Sequence, residues 1–173
     1  MQEIVRLFTQ IALLRRGPQD LPASVLLLGL TLAGYLGVNV LVSALLPPVS
    51  DWPLQLLVDT LFMLAWYAAL LRLVGRPERV LQTSTAVFGL QTVLSPPLIA
   101  SAWLMRRFGE QTLWQLPIAF VGLLLLVWLI AASGHVVKAA LGWSVTPSIM
   151  LVILQIFCGQ LLLFALFPGP VRP

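Results

Sequence analysis

Four stretches of this chain, Leu21–Ser50, Val80–Met105, Gln111–Val137 and Ala139–Val171, contain no Asp, Glu, Lys or Arg. A fifth, Trp52–Leu71, is broken only by Asp59. A helix needs roughly 20 mostly apolar residues to cross the hydrocarbon of a bilayer. In lipid only helices and closed barrels satisfy their own backbone polar groups. The runs therefore predict five spanning helices, at about Leu21–Leu46, Leu54–Leu73, Val80–Met105, Leu113–Ser133 and Val145–Phe167. The predicted fold class is all-α, a polytopic transmembrane helix bundle. Residues 1–173 are expected to form one membrane-embedded domain with no soluble domain appended.

Composition supports this on one point. Charged residues make up 9% of the chain, against about 25% in soluble domains, too few to solvate a soluble surface. The first run begins only at Leu21 and is too long for the apolar core of a signal peptide. The net charge of +4 comes from Lys and Arg beside the spans, where they act as topology signals and lipid contacts, so no nucleic-acid partner is expected. The lone Cys158 lies in an apolar run and has no partner for a disulfide.

Met1–Arg16 predicts an amphipathic helix lying in the membrane interface. Ile4, Leu7, Phe8, Ile11 and Leu14 follow helical spacing, and the segment is too short to span. Gly17-Pro18 is expected to end it, with Asp20 capping the first span and Pro22 in its first turn. Pro47-Pro48 and Ser50-Asp51 predict a stiff turn before the second span. Trp114 and Trp128 are placed as an aromatic belt at the two ends of the fourth. His135 is expected at a helix end in the basic connection before the fifth span.

The third span sets the thread of the chain, because Ser95-Pro96-Pro97 sits in its middle. The prolines lack backbone donors, which predicts a kink or an unwound turn. One crossing with the N-terminus inside places seven Lys and Arg inside and three outside. A re-entrant loop at the prolines would give nine against one, a better charge score. Each half would then have only about 12 residues, with irregular backbone in lipid. We therefore expect a single crossing, with the N-terminus cytoplasmic.

Two kinds of functional position stand out. Gly29, Ala33 and Gly37 on the first span, and Ala65 and Ala69 on the second, are small residues four apart and predict close helix packing, within the chain or with another copy. Asp59, Gln91, Thr92, Pro96 and Pro97 form a candidate intramembrane polar site, since acids and broken helices at membrane depth mark transport paths. Asn39 is expected to bond to a neighbouring helix or a water. One His, one Cys and one intramembrane acid cannot supply a metal site. Ser133 and His135 are poorly placed for a nucleophile and its base. No catalytic residue, metal or cofactor is expected.

Two stretches carry a resemblance. Arg79-Val-Leu-Gln-Thr-Ser-Thr-Ala-Val-Phe-Gly-Leu is similar to the opening of the third span in the Yip family of five-span membrane proteins, in its bacterial branch. Trp128-Leu-Ile-Ala-Ala-Ser-Gly-His-Val-Val-Lys-Ala-Ala-Leu-Gly-Trp-Ser is similar to that family's fourth-span end and basic turn. The resemblance covers about residues 80–167 and implies the five-span layout, a cytoplasmic N-terminus and the bacterial inner membrane. It supplies no catalytic residues. Eukaryotic members use a cytosolic N-terminal region in vesicle traffic, whereas here the first span already begins near Leu21. The expected function is a non-enzymatic scaffold or assembly or trafficking factor, its partners being the lipid bilayer and other membrane proteins or copies of itself. The alternative is a small oligomeric transporter or channel using the polar residues of spans two and three.

Overall fold

The computed structural model describes residues 2–45 and 51–168. It contains six α-helices: α1 (Gln2–Ala12), α2 (Val25–Leu45), α3 (Trp52–Leu73), α4 (Val80–Phe108), α5 (Thr112–Leu141) and α6 (Val145–Leu166). The last five are long and apolar enough to cross a membrane. The chain is an integral, multi-pass membrane protein. The expected turn at Pro47-Pro48 and the C-terminal tail from Gly169 lie outside the described residues.

Contacts fix how the helices run. Gln82 Nε2 donates to the Leu21 carbonyl just before α2, Gly34 faces Thr92 midway, and Leu45 shares a groove with Trp103, so α2 and α4 run in the same direction. α3 is antiparallel to α6, with Phe62 beside Gly159 and Tyr67 bonded to Gln155. α4 and α5 form an antiparallel hairpin, joined at one end by Arg79 and Ala139 and further along by Ser101 and Gly122. The end holding the start of α4 and the close of α5 is called the near end below, and the opposite end the far end.

α4 crosses once. Its helix continues through Pro96 and Pro97 without the unwound turn expected there. Both proline rings are exposed on the helix surface. The side chains around them fold back on the ladder: Thr92 Oγ1 donates to the Phe88 carbonyl (2.8 Å) and Ser95 Oγ to the Gln91 carbonyl (2.6 Å). At 29 residues α4 is about 43 Å long, ample for a tilted crossing.

The core is gathered at the near end. Every residue from Thr83 to Leu90 is buried, so this part of α4 has protein on all sides. α5 contributes Ala132, Val136, Val137, Ala140 and Leu141 to the same cluster. At the far end α5 stands free, with Leu113, Leu116 and Phe120 exposed.

Several expectations about helix ends are corrected. α2 starts at Val25, later than expected, and its cap is Ser24, whose Oγ accepts from the Leu27 N–H (3.4 Å). Asp20 instead closes a one-turn 3₁₀ helix, Pro18–Asp20, by accepting from the Gly17 N–H (3.0 Å). α1 ends at Ala12, before Gly17-Pro18, because Leu14 adopts a left-handed φ of 61° and Arg15 N–H reaches back to the Gln10 carbonyl (2.9 Å). α5 runs past Ser133 to Leu141, which carries His135 and Lys138 on the same continuous helix.

α1 also finds a different cover for its apolar face. Phe8, Ile11 and Ala12 are buried by protein. The Phe8 ring occupies the space where Gly89 of α4 has no side chain. Trp128 lies well inside α5, which continues beyond it to Leu141. Its indole N–H donates to the Ala12 carbonyl (2.9 Å) and satisfies one orphan acceptor at the close of α1. Trp128 is therefore a docking residue for α1, while 41% of its surface remains exposed.

Candidate functional site

The helices meet through a layer of polar side chains, built mainly from i, i+4 stripes. On α2 the stripe is Leu27, Thr31, Tyr35, Asn39, of which the first three are buried. On α3 it is Thr60, Met63, Tyr67, Leu71, and on α6 Ser148, Val152, Gln155, Gly159, all buried. The Tyr35 hydroxyl donates to Asp59 Oδ2 (3.0 Å), linking α2 to α3. The Tyr67 hydroxyl donates to Gln155 Oε1 (2.5 Å), linking α3 to α6. Gln91 of α4 points its amide at the Met63 sulfur (3.8 Å). Interhelical bonds of this kind contribute about 0.6 kcal/mol each on average in membranes, and up to about 1.7.

This layer contains the predicted polar positions but does not unite them. Asp59 is half-buried, about 10 Å along α3 from Trp52, and is held by Tyr35. Gln91 faces Met63, one turn away from Asp59 on α3. Thr92 bonds within its own helix and packs its methyl 3.2 Å from where a Gly34 Cβ would stand. Asn39, expected to bond to a neighbouring helix or a water, donates to the Tyr35 carbonyl of its own helix (2.9 Å). Among the described residues no cluster of His, Cys, Asp and Glu could hold a metal ion.

The predicted packing faces are not used between the described helices of this chain. Gly29, Ala33, Gly37, Ala65 and Ala69 are all exposed on the bundle surface. Nothing lies within 4 Å of a Cβ built on Gly29 or Gly37. The reason is angular. At 100° per residue, positions two apart lie on opposite sides of a helix. Gly29, Ala33 and Gly37 sit two residues from Leu27, Thr31 and Tyr35, so burying the polar stripe turns the small stripe outward. Ala65 and Ala69 stand in the same relation to Met63 and Tyr67. Within the chain, close approach is made at other glycines, Gly34 against Thr92, Gly89 against Phe8, Gly122 against Ser101, Gly134 against Ile149 and Gly159 against Phe62 among them.

At the near end two arginines close the bundle. Arg76 Nη1 donates to the Ala140 carbonyl (3.3 Å), and Arg79 Nη1 to the carbonyls of Ala139 (3.2 Å) and Ala140 (3.0 Å). These are orphan acceptors at the negative end of α5, where a cation is favoured. Gly142 follows with φ of 71°. In the sequence the charges around Arg76 are legible only as a topology signal.

No family model, curated protein or solved structure matches the chain.

Proposed function

We propose that this chain is a non-enzymatic membrane scaffold, an assembly or trafficking factor that packs against other membrane proteins or copies of itself. One observation carries the reading. The small-residue stripe Gly29, Ala33, Gly37 faces outward with open space beside both glycines. Small residues at i, i+4 let a second helix approach closely in lipid, and none of the described helices occupies that face. The intramembrane polar groups support the same reading, since Tyr35, Asp59, Tyr67 and Gln155 are engaged in holding helices together. The layout agrees with the five-span Yip arrangement in the bacterial inner membrane. The charge balance of the connections favours a cytoplasmic N-terminus.

The test is crosslinking in native membranes, with partner identification, for the wild type and for Gly29→Leu/Gly37→Leu. We expect the wild type to give a defined partner or a self-adduct, and the double variant to lose it. Recovery of neither a partner nor a self-contact, or an adduct indifferent to the two leucines, overturns the reading. A vesicle flux abolished by Asp59→Asn would favour transport instead.

A further inference from the structure

At the far end, α2 and α4 part to leave a groove of about 300 Å³ lined by Val38, Leu41, Pro96 and Ala100. It leads to Leu45 and Trp103, which also line a second cleft of about 410 Å³ with Arg106, Arg107 and Glu110. The two spaces share those two residues and so adjoin. On α4 their lining is one helical face, positions 96, 99, 100, 103, 106 and 107, with Glu110 in the turn just beyond the helix. This face is apolar for about one turn, Pro96 to Ala100, then aromatic at Trp103, then basic. Among the described residues, no acceptor engages Arg106 or Arg107.

We propose that this composite site binds one anionic glycerophospholipid. An acyl chain lies in the groove between α2 and α4, and the phosphodiester rests against the guanidinium groups of Arg106 and Arg107. Four arguments support this occupant. The groove runs from Val38 to Leu45, about 10 Å along the helix axis, most of the roughly 15 Å depth of one leaflet. Its volume is twice the ~150 Å³ cavity that accepts a benzene ring, room for roughly a dozen carbons. A protein helix does not fit, since one turn 10 Å across already occupies about 400 Å³. The charge at the mouth is complementary, with two arginines against one glutamate, and guanidinium pairs bidentately with phosphate. With the N-terminus cytoplasmic, these arginines also stand on the side where Lys and Arg are disfavoured. A bound anion at that position accounts for them.

The experiment is native mass spectrometry of the protein in a mild non-ionic detergent, with phosphatidylglycerol or phosphatidylethanolamine of matched chains added. The wild type is expected to retain phosphatidylglycerol on the order of tenfold better, from two cations worth about tenfold or less each, offset by Glu110. Arg106→Gln/Arg107→Gln should abolish the preference while leaving weak, equal retention of both lipids. Ala100→Phe should reduce retention of both by filling the groove. Soluble glycerol phosphate should not compete. Arg72→Gln, at an exposed arginine at the other end of the bundle, should leave the preference intact. Equal retention of the two lipids by the wild type overturns the proposal. So does a preference that survives Arg106→Gln/Arg107→Gln, a preference lost equally in Arg72→Gln, or displacement of the lipid by glycerol phosphate.

Discussion

Replacing Gly89 by alanine isolates the contact that docks α1 on the bundle. A Cβ there would overlap three ring carbons of Phe8, so the ring has to retreat by more than an ångström. The ring is only 6% exposed, and its helix is also held by Ile11 and by the Trp128 bond to Ala12. Overpacking at such a site costs about 1–3 kcal/mol. The same alanine in a Phe8→Ala background no longer meets the ring and gains up to about 1 kcal/mol of helix propensity over glycine. The propensity gain is common to both backgrounds and cancels, so the two changes should couple by roughly 1–3 kcal/mol in favour of the double variant. The assay is reversible unfolding in mixed micelles, paired with tryptic cleavage at the exposed Arg6, Arg15 and Arg16, which should accelerate in Gly89→Ala alone. If the two single effects add to within about 0.5 kcal/mol, Phe8 does not sit on Gly89 and the docking geometry is wrong.

Tyr67→Phe leaves the buried Gln155 Oε1 without its donor and should destabilise by about 1–2 kcal/mol, with most of it recovered by adding Gln155→Leu, in the same unfolding assay. Gly142→Ala should cost more than Gly75→Ala. Both positions have left-handed φ, 71° and 73°, and share a backbone penalty of about 1–2 kcal/mol, but only at Gly142 does the new Cβ meet the Arg76 guanidinium, at 3.1 Å. Reporter tags at Gln2 and Pro173 should label opposite faces of the membrane, because five helices cross. Labelling of one face by both would break the single crossing of α4.

What could be read from the sequence differs by physical scale. The five spans were legible because lipid imposes one gross requirement, a run of uncharged residues about 30 Å long. α2 and α6 end within a few residues of the uncharged runs. The passage of α4 through Pro96-Pro97 was legible only as a crossing, since the prolines remove the donors for the Thr92 and Val93 carbonyls and nothing local says whether the helix unwinds there. The choice of buried stripe on α2 was not resolved by spacing. Gly29-Ala33-Gly37 and Thr31-Tyr35-Asn39 have the same period, and the winner depends on whether a neighbour presents Asp59 to Tyr35. Phe8 on Gly89 and Arg79 on Ala140 join positions far apart in the chain, and nothing local marks either pair.

The sorting of helices in this bundle follows polarity, since lipid is as apolar as leucine and gives no hydrophobic reason for one helix to be central. α4 opens with Gln82, Thr83, Ser84 and Thr85, and it is the helix enclosed at the near end. Its polar side chains are not all hydrogen-bonded, however. Thr85 Oγ1 donates to the Leu81 carbonyl (2.7 Å), whereas Thr83 Oγ1 and Ser84 Oγ are buried with no partner. Small size, which lets neighbours close around α4, is then what those two positions supply. Ser84→Ala and Thr83→Val remove the hydroxyl at nearly constant volume and should be neutral, or stabilising by up to about 1 kcal/mol, because a buried unsatisfied group is relieved. Ser84→Leu enlarges a position that is 1% exposed and should cost about 1–3 kcal/mol or expel a neighbouring helix. If Ser84→Ala proves as damaging as Ser84→Leu, the hydroxyl itself holds the centre together, and close packing of small residues is not the principle that places α4 there.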